Sequence, residues 1–464
     1  MPSSSAMGDG MFRGRTVLVY GVRLAGSSAA RALLARGANV LLADRERTPE
    51  VAPLEAAGAR FVGDPASLPA AVDLMWVTPG VRPDHPLPLA ASAAGVEVVG
   101  EAELAWRLRG PRAAPWLAVT GTNGKTTTVR MLESILRAAG LRAMAVGNVG
   151  VSLIDAVTSD EPWDVLAVEL SSFQLHWSST VAPEAGALLN LAPDHLDWHG
   201  SMAMYAITKT HVWDGAIAIG NLDDDYVAEL LTDTASRAQG RIVGVTLGEP
   251  ARGQLGVISG TLVDRAFHDD VALIAQDEVR PPGRHNLYNA LTAAALGLAH
   301  GITPTAVGDG LRVFVPDPHR NQVIAVRDAV RYVDDSKATN PHAAAASLSS
   351  YRPVVWIAGG QLKNAPVDDL VRAVAARLRA VVLLGADRAV IAAALARHAP
   401  DVPVIDIGND DDRAMTEVVR AAARFARPGD TVLLAPAAAS YDMFTGYAAR
   451  GEAFAAAVGA LGPA

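Results

Sequence analysis

The segment WLAVTGTNGKTTTVRMLES, residues 116–134, decides how the rest of the chain is read. An aliphatic run ends at Thr120, a glycine-containing turn follows, and a helix is expected to begin near Lys125. Backbone N–H groups exposed at such a helix start, reinforced by the helix dipole, favour an anion. Gly121 and Gly124 allow close backbone approach to phosphate oxygens. Lys125 is placed to reach terminal phosphates, and Thr126 to offer a hydroxyl to Mg²⁺. The strict Walker spacing is not met, because Val119 stands where its first glycine would fall. The segment reads as a nucleotide-phosphate loop, Gly121–Thr127.

The same strand-then-helix pattern recurs along the chain. Short aliphatic runs at Thr16–Tyr20, Asn39–Ala43, Leu74–Val77, Trp116–Val119, Val165–Leu170, Gly186–Asn190, Val354–Ala358, Ala380–Leu384 and Thr431–Ala435 alternate with alanine-rich amphipathic stretches such as Ser27–Arg36 and Thr126–Ala139. That alternation predicts an α/β protein with mainly parallel sheets, in which ligands gather at the carboxyl ends of strands. Proline-containing breaks at Arg109–Pro115 and Val315–His319 divide the chain into three expected domains, 1–112, 113–316 and 317–464. Residues Ile242–Glu278 are expected to form a small strand-and-turn subsheet.

At 464 residues the chain is too long for one core. Its net charge of −9 speaks against nucleic acid as a partner. The absence of cysteine rules out disulfides and thiolate metal sites. No apolar stretch suits a signal peptide or a bilayer span, so a cytoplasmic protein without membrane insertion is expected. Translation could start at Met1, Met7 or Met11.

Several residues follow strand ends, where chemistry is expected. Glu169 closes DVLAVEL and is suited to a magnesium ion facing the loop lysine. His195 lies in NLAPDHLDWHG, after another aliphatic run. Lys209 lies on an apolar helical stretch; it either snorkels to solvent or is buried near magnesium with a lowered pKa that lets it react with CO₂. Asn286 and Asn289 share a helix face and either read an adenine edge or, at Asn286, cap the helix. Loops at 332–343, 356–364 and 433–451 resemble one wall of a substrate cleft. Near the N-terminus, VLVYGVRLAGSS lacks the G-x-G-x-x-G spacing, and Asp44 ends the next strand. The turn is read as structural in preference to a nicotinamide site, with a nucleotide-sugar site left open.

Taken together, VTPGV (77–81), GTNGKTT (121–127), VELSSFQL (168–175), NLAPDHLDWHG (190–200), GRHNLYNALTA (283–293), DPHR (317–320), DDSKATNP (334–341) and APAAASYDMF (435–444) resemble the Mur ligase family over nearly the whole chain. DDSKATNP is similar to the version in members that add D-glutamate.

The resemblance implies an N-terminal Rossmann-like domain, a central P-loop-type ATPase domain and a C-terminal Rossmann-like domain. It implies UDP-N-acetylmuramoyl-L-alanine, D-glutamate and ATP as reactants, an acyl-phosphate intermediate, and a monomer. It places ATP on Gly121, Thr122, Asn123, Gly124, Lys125, Thr126, Thr127, Asn286, Asn289, His319, Arg320, Asp335 and Lys337. The UDP-substrate would meet Leu24, Ala25, Asp44, Gly80, Asn148 and Ser171. D-glutamate would meet His195, Thr339, Lys363, Ser440 and Tyr447. Two Mg²⁺ sites are implied on Thr126, Glu169, His195 and a carbamate on Lys209, with Lys125, Glu169, His195 and Lys209 catalytic. Three departures stand out: Ala438 replaces a cysteine, the acid-and-arginine pair is shifted within Asp44–Arg47, and Tyr447 replaces a phenyl ring. The rival readings are a sibling ligase taking another amino acid, a nucleotide-binding homologue without turnover, and a nicotinamide oxidoreductase.

Overall fold

The structure is a computed structural model that describes residues 10–110, 113–237, 240–408 and 413–461. The start candidates Met1 and Met7 and the expected boundary at residue 112 lie outside the described residues. Among the described residues the strands fall into three sheets, of five, nine and six strands. Each of the nine aliphatic runs carries a strand. Their side chains are buried on both faces, which is why they read as unbroken apolar runs rather than alternating ones.

The first sheet is wholly parallel, in the order Arg60–Phe61, Asn39–Ala43, Thr16–Tyr20, Leu74–Val77, Glu97–Val99. Its first turn is held by Asp44, whose Oδ2 accepts from the Val22 amide at 2.7 Å. Gly26 is required there: a Cβ at that position would stand 1.8 Å from the Gly21 carbonyl oxygen. The helix Leu24–Ala35 thus packs against the turn at backbone distance.

The second sheet runs Val271–Ala275, Thr261–Asp264, Gln254–Ile258, Arg241–Val245, Ile217–Asn221, Ala185–Leu188, Trp116–Thr120, Val165–Glu169, Ala143–Gly147. The six strands from Arg241–Val245 to Ala143–Gly147 are parallel. The region expected as a small subsheet is instead an edge of this sheet. Gln254–Ile258 joins it by a short parallel register, and the following two strands continue it antiparallel. Close turns at residues 259–260 and 265–270 allow this without a crossover helix.

The first and second sheets belong to one compact unit, which extends to Glu278 and includes Tyr288–Phe314. One continuous apolar cluster from Phe12 to Leu231 serves both. The helix Glu101–Leu108 fastens them with two buried carboxylates. Glu101 accepts from the Leu153 amide at 3.0 Å and from Gln174 Nε2 at 2.9 Å. Glu103 accepts from the amides of Ser179 and Thr180 at 2.8 and 2.9 Å and from the Thr180 hydroxyl at 2.6 Å. These bonds offset part of the cost of burial, which still raises the Glu101 pKa; at Glu103 the bonds and Arg107 together outweigh burial and lower it.

The second unit comprises Val279–Leu287 and the chain from Val315. Its sheet runs Gln322–Arg327, Val330–Asp334, Thr431–Leu434, Val354–Gly359, Leu378–Leu384, Val404–Asp406, parallel except at the first strand. Apolar layers cover both faces, one around Trp356 and Leu383 and the other around Ile357 and Phe454. Among the described residues no helix is long and apolar enough to cross a membrane.

Candidate active site

The phosphate loop follows the buried strand Trp116–Thr120, and its helix runs Lys125–Ala138. Gly121 and Gly124 have φ of 150° and 87°, conformations that L side chains rarely adopt. A Cβ on Gly124 would also press within 2.5 Å of Asn289 Oδ1. The turn is buttressed by Asn190, which accepts from the Asn123 amide at 2.9 Å and donates to the Asn123 carbonyl at 3.0 Å. The Thr122 hydroxyl is turned inward, 3.0 Å from the Tyr205 hydroxyl, and its amide donates to the Asn190 carbonyl at 3.0 Å, so Thr122 braces the loop from within. Thr127 is buried at the helix start. Lys125 Nζ donates to the Gly121 and Thr122 carbonyls, both at 2.8 Å, and so lies over the loop.

Beside this loop the strand Val165–Glu169 delivers a carboxylate that is 1 % exposed. Thr126 Oγ1 donates to Glu169 Oε2 at 2.7 Å, and Asn148 Nδ2 donates to Glu169 Oε1 at 2.8 Å. Three residues far apart in the chain therefore meet at one carboxylate. Among the described residues no cluster of three or more acidic or histidine side chains could hold a metal alone. One carboxylate beside a threonine hydroxyl nonetheless fits magnesium, which keeps waters and takes its remaining oxygens from bound phosphates.

Lys209 is the chief electrostatic feature. The helix Met202–Thr210 buries it completely, so snorkelling is excluded. Its Nζ donates to the Gly121 carbonyl at 2.9 Å and to Thr120 Oγ1 at 3.3 Å. Burial, and then the charge of Lys125, hold its pKa well below the ordinary lysine range. His195 has a left-handed backbone (φ 52°) and its ring packs against Phe173 at 4.7 Å. Burial lowers its pKa, with Asp194 opposing and Lys125 and Lys209 assisting. Lys125, Glu169, His195 and Lys209 thus share one electrostatic neighbourhood. Ser171 caps the helix Ser172–His176 in a reciprocal capping box with Gln174.

In the same unit, a cavity of about 580 Å³ opens beyond the first sheet, with Asp44 and Gly80 among its lining residues. Leu24 is exposed at the first turn of the adjoining helix, and Ala25 follows it. Tyr20 and His85, which sequence reasoning did not single out, also line the cavity. The Tyr20 hydroxyl lies 3.2 Å from Asp64 Oδ1 and 3.3 Å from His85 Nε2. Tyr20 closes the first strand and His85 caps the helix Pro86–Ala93, and neither position marks a ligand contact in one sequence. Trp198, from the segment that carries His195, donates through Nε1 to the Gly80 carbonyl at 3.4 Å.

The two asparagines on the helix Arg284–Ala299 have separate surroundings. Asn289 accepts from Thr128 Oγ1 at 3.2 Å in the first unit. Asn286, counted with the second unit, donates to the Pro282 carbonyl at 3.3 Å and lies 3.0 Å from His285 Nε2.

In the second unit, His319 has a left-handed backbone and pairs through Nδ1 with Asp334 Oδ2 at 2.6 Å. Asp335 accepts from the Asn321 amide at 3.1 Å, and burial pushes its carboxyl up to about 6, with Arg320 opposing. Lys337 Nζ stands 4.0 Å from the centre of the Tyr447 ring, a cation–π contact that joins an ATP candidate to a D-glutamate candidate. Thr339 follows on the same loop. Lys363 is exposed with φ 51°, and Ser440 is buried beyond the strand Thr431–Leu434.

Comparison with known proteins converges with this geometry. The Mur ligase middle domain model matches residues 119–297, and the Mur ligase glutamate ligase domain model matches residues 319–438. The chain belongs to the Mur ligase family. It is 55% identical to a UDP-N-acetylmuramoylalanine--D-glutamate ligase of Thermobifida fusca, with 97% of this chain and 99% of that one covered. A protein of the same name from Streptomyces coelicolor is 53% identical over 97% of this chain and 99% of its own. One from Mycobacterium bovis is 47% identical over 98% and 97%. Among solved structures, MurF from Acinetobacter baumannii is similar in fold with a TM-score of 0.58 at 18% identity, covering 94% of this chain and 89% of that one. UDP-N-acetylmuramate-alanine ligase MurC from Thermotoga maritima gives 0.54 at 19% identity, covering 91% and 95%.

Proposed function

We infer that the chain is an ATP-dependent, ADP-forming ligase that adds D-glutamate to UDP-N-acetylmuramoyl-L-alanine in the synthesis of peptidoglycan precursor. The observation that carries this is the near-full-length identity to ligases of that name, together with Lys125, Thr126, Glu169 and Lys209 gathered at one phosphate loop.

In this reading the substrate carboxylate attacks the γ-phosphorus of ATP. A C–O–P linkage forms, the bond to the β-phosphate oxygen breaks, and ADP leaves. The amine of D-glutamate then attacks the acyl carbon, loses a proton, and phosphate departs from the tetrahedral centre. The Gly121–Thr127 backbone and Lys125 hold and neutralise the transferred phosphoryl group. Thr126 and Glu169 would hold magnesium, which when bound would supply further neutralisation of phosphate charge. His195 would help to hold a second magnesium.

Burial favours the neutral amine of Lys209, the form that reacts with CO₂. An N–C bond forms, a proton is released, and the neutral amine becomes an anionic carbamate beside the proposed metal position. Asp44, Gly80 and the 580 Å³ cavity take the UDP moiety, with Leu24, Ala25, Asn148 and Ser171 along its path. Asn286, Asn289, His319, Arg320, Asp335 and Lys337 contact ATP. Thr339, Lys363, Ser440 and Tyr447 hold D-glutamate, with Lys363 pairing a carboxylate. The protein works in the cytoplasm, which the absence of cysteine supports. One chain supplies every group in this scheme, which supports a monomer.

The test is ADP and phosphate release with magnesium, ATP and UDP-N-acetylmuramoyl-L-alanine, with and without D-glutamate, against a panel of other amino acids. Turnover dependent on D-glutamate is expected. Preference for another amino acid, or no ATP cleavage with all reactants present, overturns the reading.

A further inference from the structure

Arg450 lies near the start of the helix Tyr447–Gly459 and is 1 % exposed. A helix-borne arginine ordinarily reaches for solvent, yet this one donates only inward. Its Nε donates to Ser336 Oγ at 2.9 Å and its Nη2 to the Ser336 carbonyl at 2.9 Å. Its Nη1 donates to the carbonyls of Ala438 at 3.1 Å and Gly359 at 3.4 Å. Ser336 Oγ in turn donates to the Tyr447 carbonyl at 2.8 Å, which closes the network back onto the helix.

These oxygens have one thing in common. They lie at the carboxyl ends of three neighbouring strands, Val330–Asp334, Thr431–Leu434 and Val354–Gly359. The loops that leave those ends carry Asp335, Lys337 and Thr339; Ser440; and Lys363. Arg450 bonds to two of these loops, at Ser336 and Ala438, and to Gly359, the last residue of the strand that leads into the third. Burial brings its pKa down to about 10, so the guanidinium stays charged at neutral pH. Its planar fork holds these divergent acceptors at once, which a lysine ammonium at the same depth does not match.

The next residue fits the same arrangement from the other side. A Cβ on Gly451 would come within 2.2 Å of His319 Nδ1 and 2.6 Å of Asp334 Oδ2. The Arg450–Gly451 pair therefore clamps the loops and leaves space for the His319–Asp334 contact.

We propose that Arg450 is a positioning residue for the incoming amino acid: its guanidinium holds the three strand-end loops at a fixed mutual spacing, so that Thr339, Lys363 and Ser440 present one site to a dicarboxylic α-amino acid. The inference rests on the reading of these loops as the D-glutamate site.

The test measures the KM for D-glutamate, the KM for the UDP-substrate, kcat and the thermal midpoint in three variants. Arg450→Lys is expected to raise the D-glutamate KM by ~10-fold or more, because small displacements of binding groups have large kinetic effects. Its KM for the UDP-substrate should stay within about twofold. Ser336→Ala, which removes one acceptor of the network, should raise the D-glutamate KM about threefold. Val382→Ala makes a cavity in the core of the same sheet away from these loops, and should lower the midpoint without moving the D-glutamate KM.

An unmoved D-glutamate KM in Arg450→Lys overturns the proposal, as does an equal rise in Val382→Ala at a comparable loss of midpoint. If Arg450→Lys does not fold, Ser336→Ala decides, and an unchanged KM there overturns it. A wild type that saturates with D-glutamate while its variants keep the same KM sinks the positioning role alone. A wild type indifferent to D-glutamate sinks the underlying reading as well.

Discussion

Thr126 Oγ1 lies 2.7 Å from Glu169 Oε2, so the first turn of the phosphate-loop helix is tied to the end of a neighbouring strand. Asn148 holds the other carboxylate oxygen at 2.8 Å. Glu169→Gln preserves the size of this group and removes its charge. Turnover is expected to fall at least as far as the ~100-fold reached when groups supporting a metal are lost. A magnesium titration of kcat should shift to higher metal in parallel. A variant within about threefold of wild type at every magnesium concentration removes Glu169 from the metal site.

Lys209 makes a prediction about stability as well as activity. Its folded pKa lies well below the unfolded value, so between the two the unfolded chain binds more protons and stability rises with pH. Below that window both states are charged and the full penalty of burying the ammonium is felt. Lys209→Met removes a poorly solvated amine, so it should abolish turnover while stabilising the protein near neutral pH by on the order of 1 kcal/mol or more. Thermal scans in CO₂-free buffer should show that advantage shrinking as pH approaches about 10, the ordinary lysine range. A variant less stable than wild type throughout contradicts the assignment.

The Asp335 carboxyl carries the opposite sign. Burial raises its folded pKa from 3.8 to about 6, so the folded chain binds more protons across that window and its stability falls as pH rises through it. Asp335→Asn escapes this loss. It should unfold at a higher temperature than wild type above about pH 6, with the difference gone near pH 4. A difference in midpoint independent of pH would show that packing, not ionisation, separates the two.

Gly26→Ala tests the close approach in the first sheet. A methyl group 1.8 Å from the Gly21 carbonyl oxygen forces the helix Leu24–Ala35 away from its turn. The expected loss is about 1–3 kcal/mol, as for overpacked sites generally. Calorimetry should register this as a fall of several degrees in the midpoint. An unchanged midpoint means the helix relaxes freely.

The phosphate loop and the parallel strands were legible in the sequence because their signals are local. GTNGKTT places its glycines, lysine and threonines within one turn, and a strand buried on both faces announces itself by composition. What was not legible is convergence. Thr126, Asn148 and Glu169 are separated by 22 and 21 residues, and nothing in one sequence says that their side chains meet. Lys209 left two outcomes open because an apolar helix accommodates a snorkelling lysine as readily as a buried one; only the packing of Tyr205 and Thr120 around it decides. Arg450 was missed altogether, since one arginine on an alanine-rich helix looks like a solvated surface residue. The glycine beside it, costly inside a helix, was the available hint. The strands after residue 242 were seen, but their attachment to the large sheet depends on a register of only two residue pairs.

Glu101 and Glu103 fasten the first sheet to the second through five hydrogen bonds, and the Trp198–Gly80 contact adds a further strut between the cavity and the phosphate loop. These bonds hold the two recesses at the separation seen in this structure. If the cavity takes the UDP moiety as proposed, an inhibitor that joins a uridine-like head to a phosphate mimic has a defined span to match. A stiff spacer cut to that span would forfeit little torsional freedom on docking, whereas a floppy one would surrender affinity for every bond it immobilises.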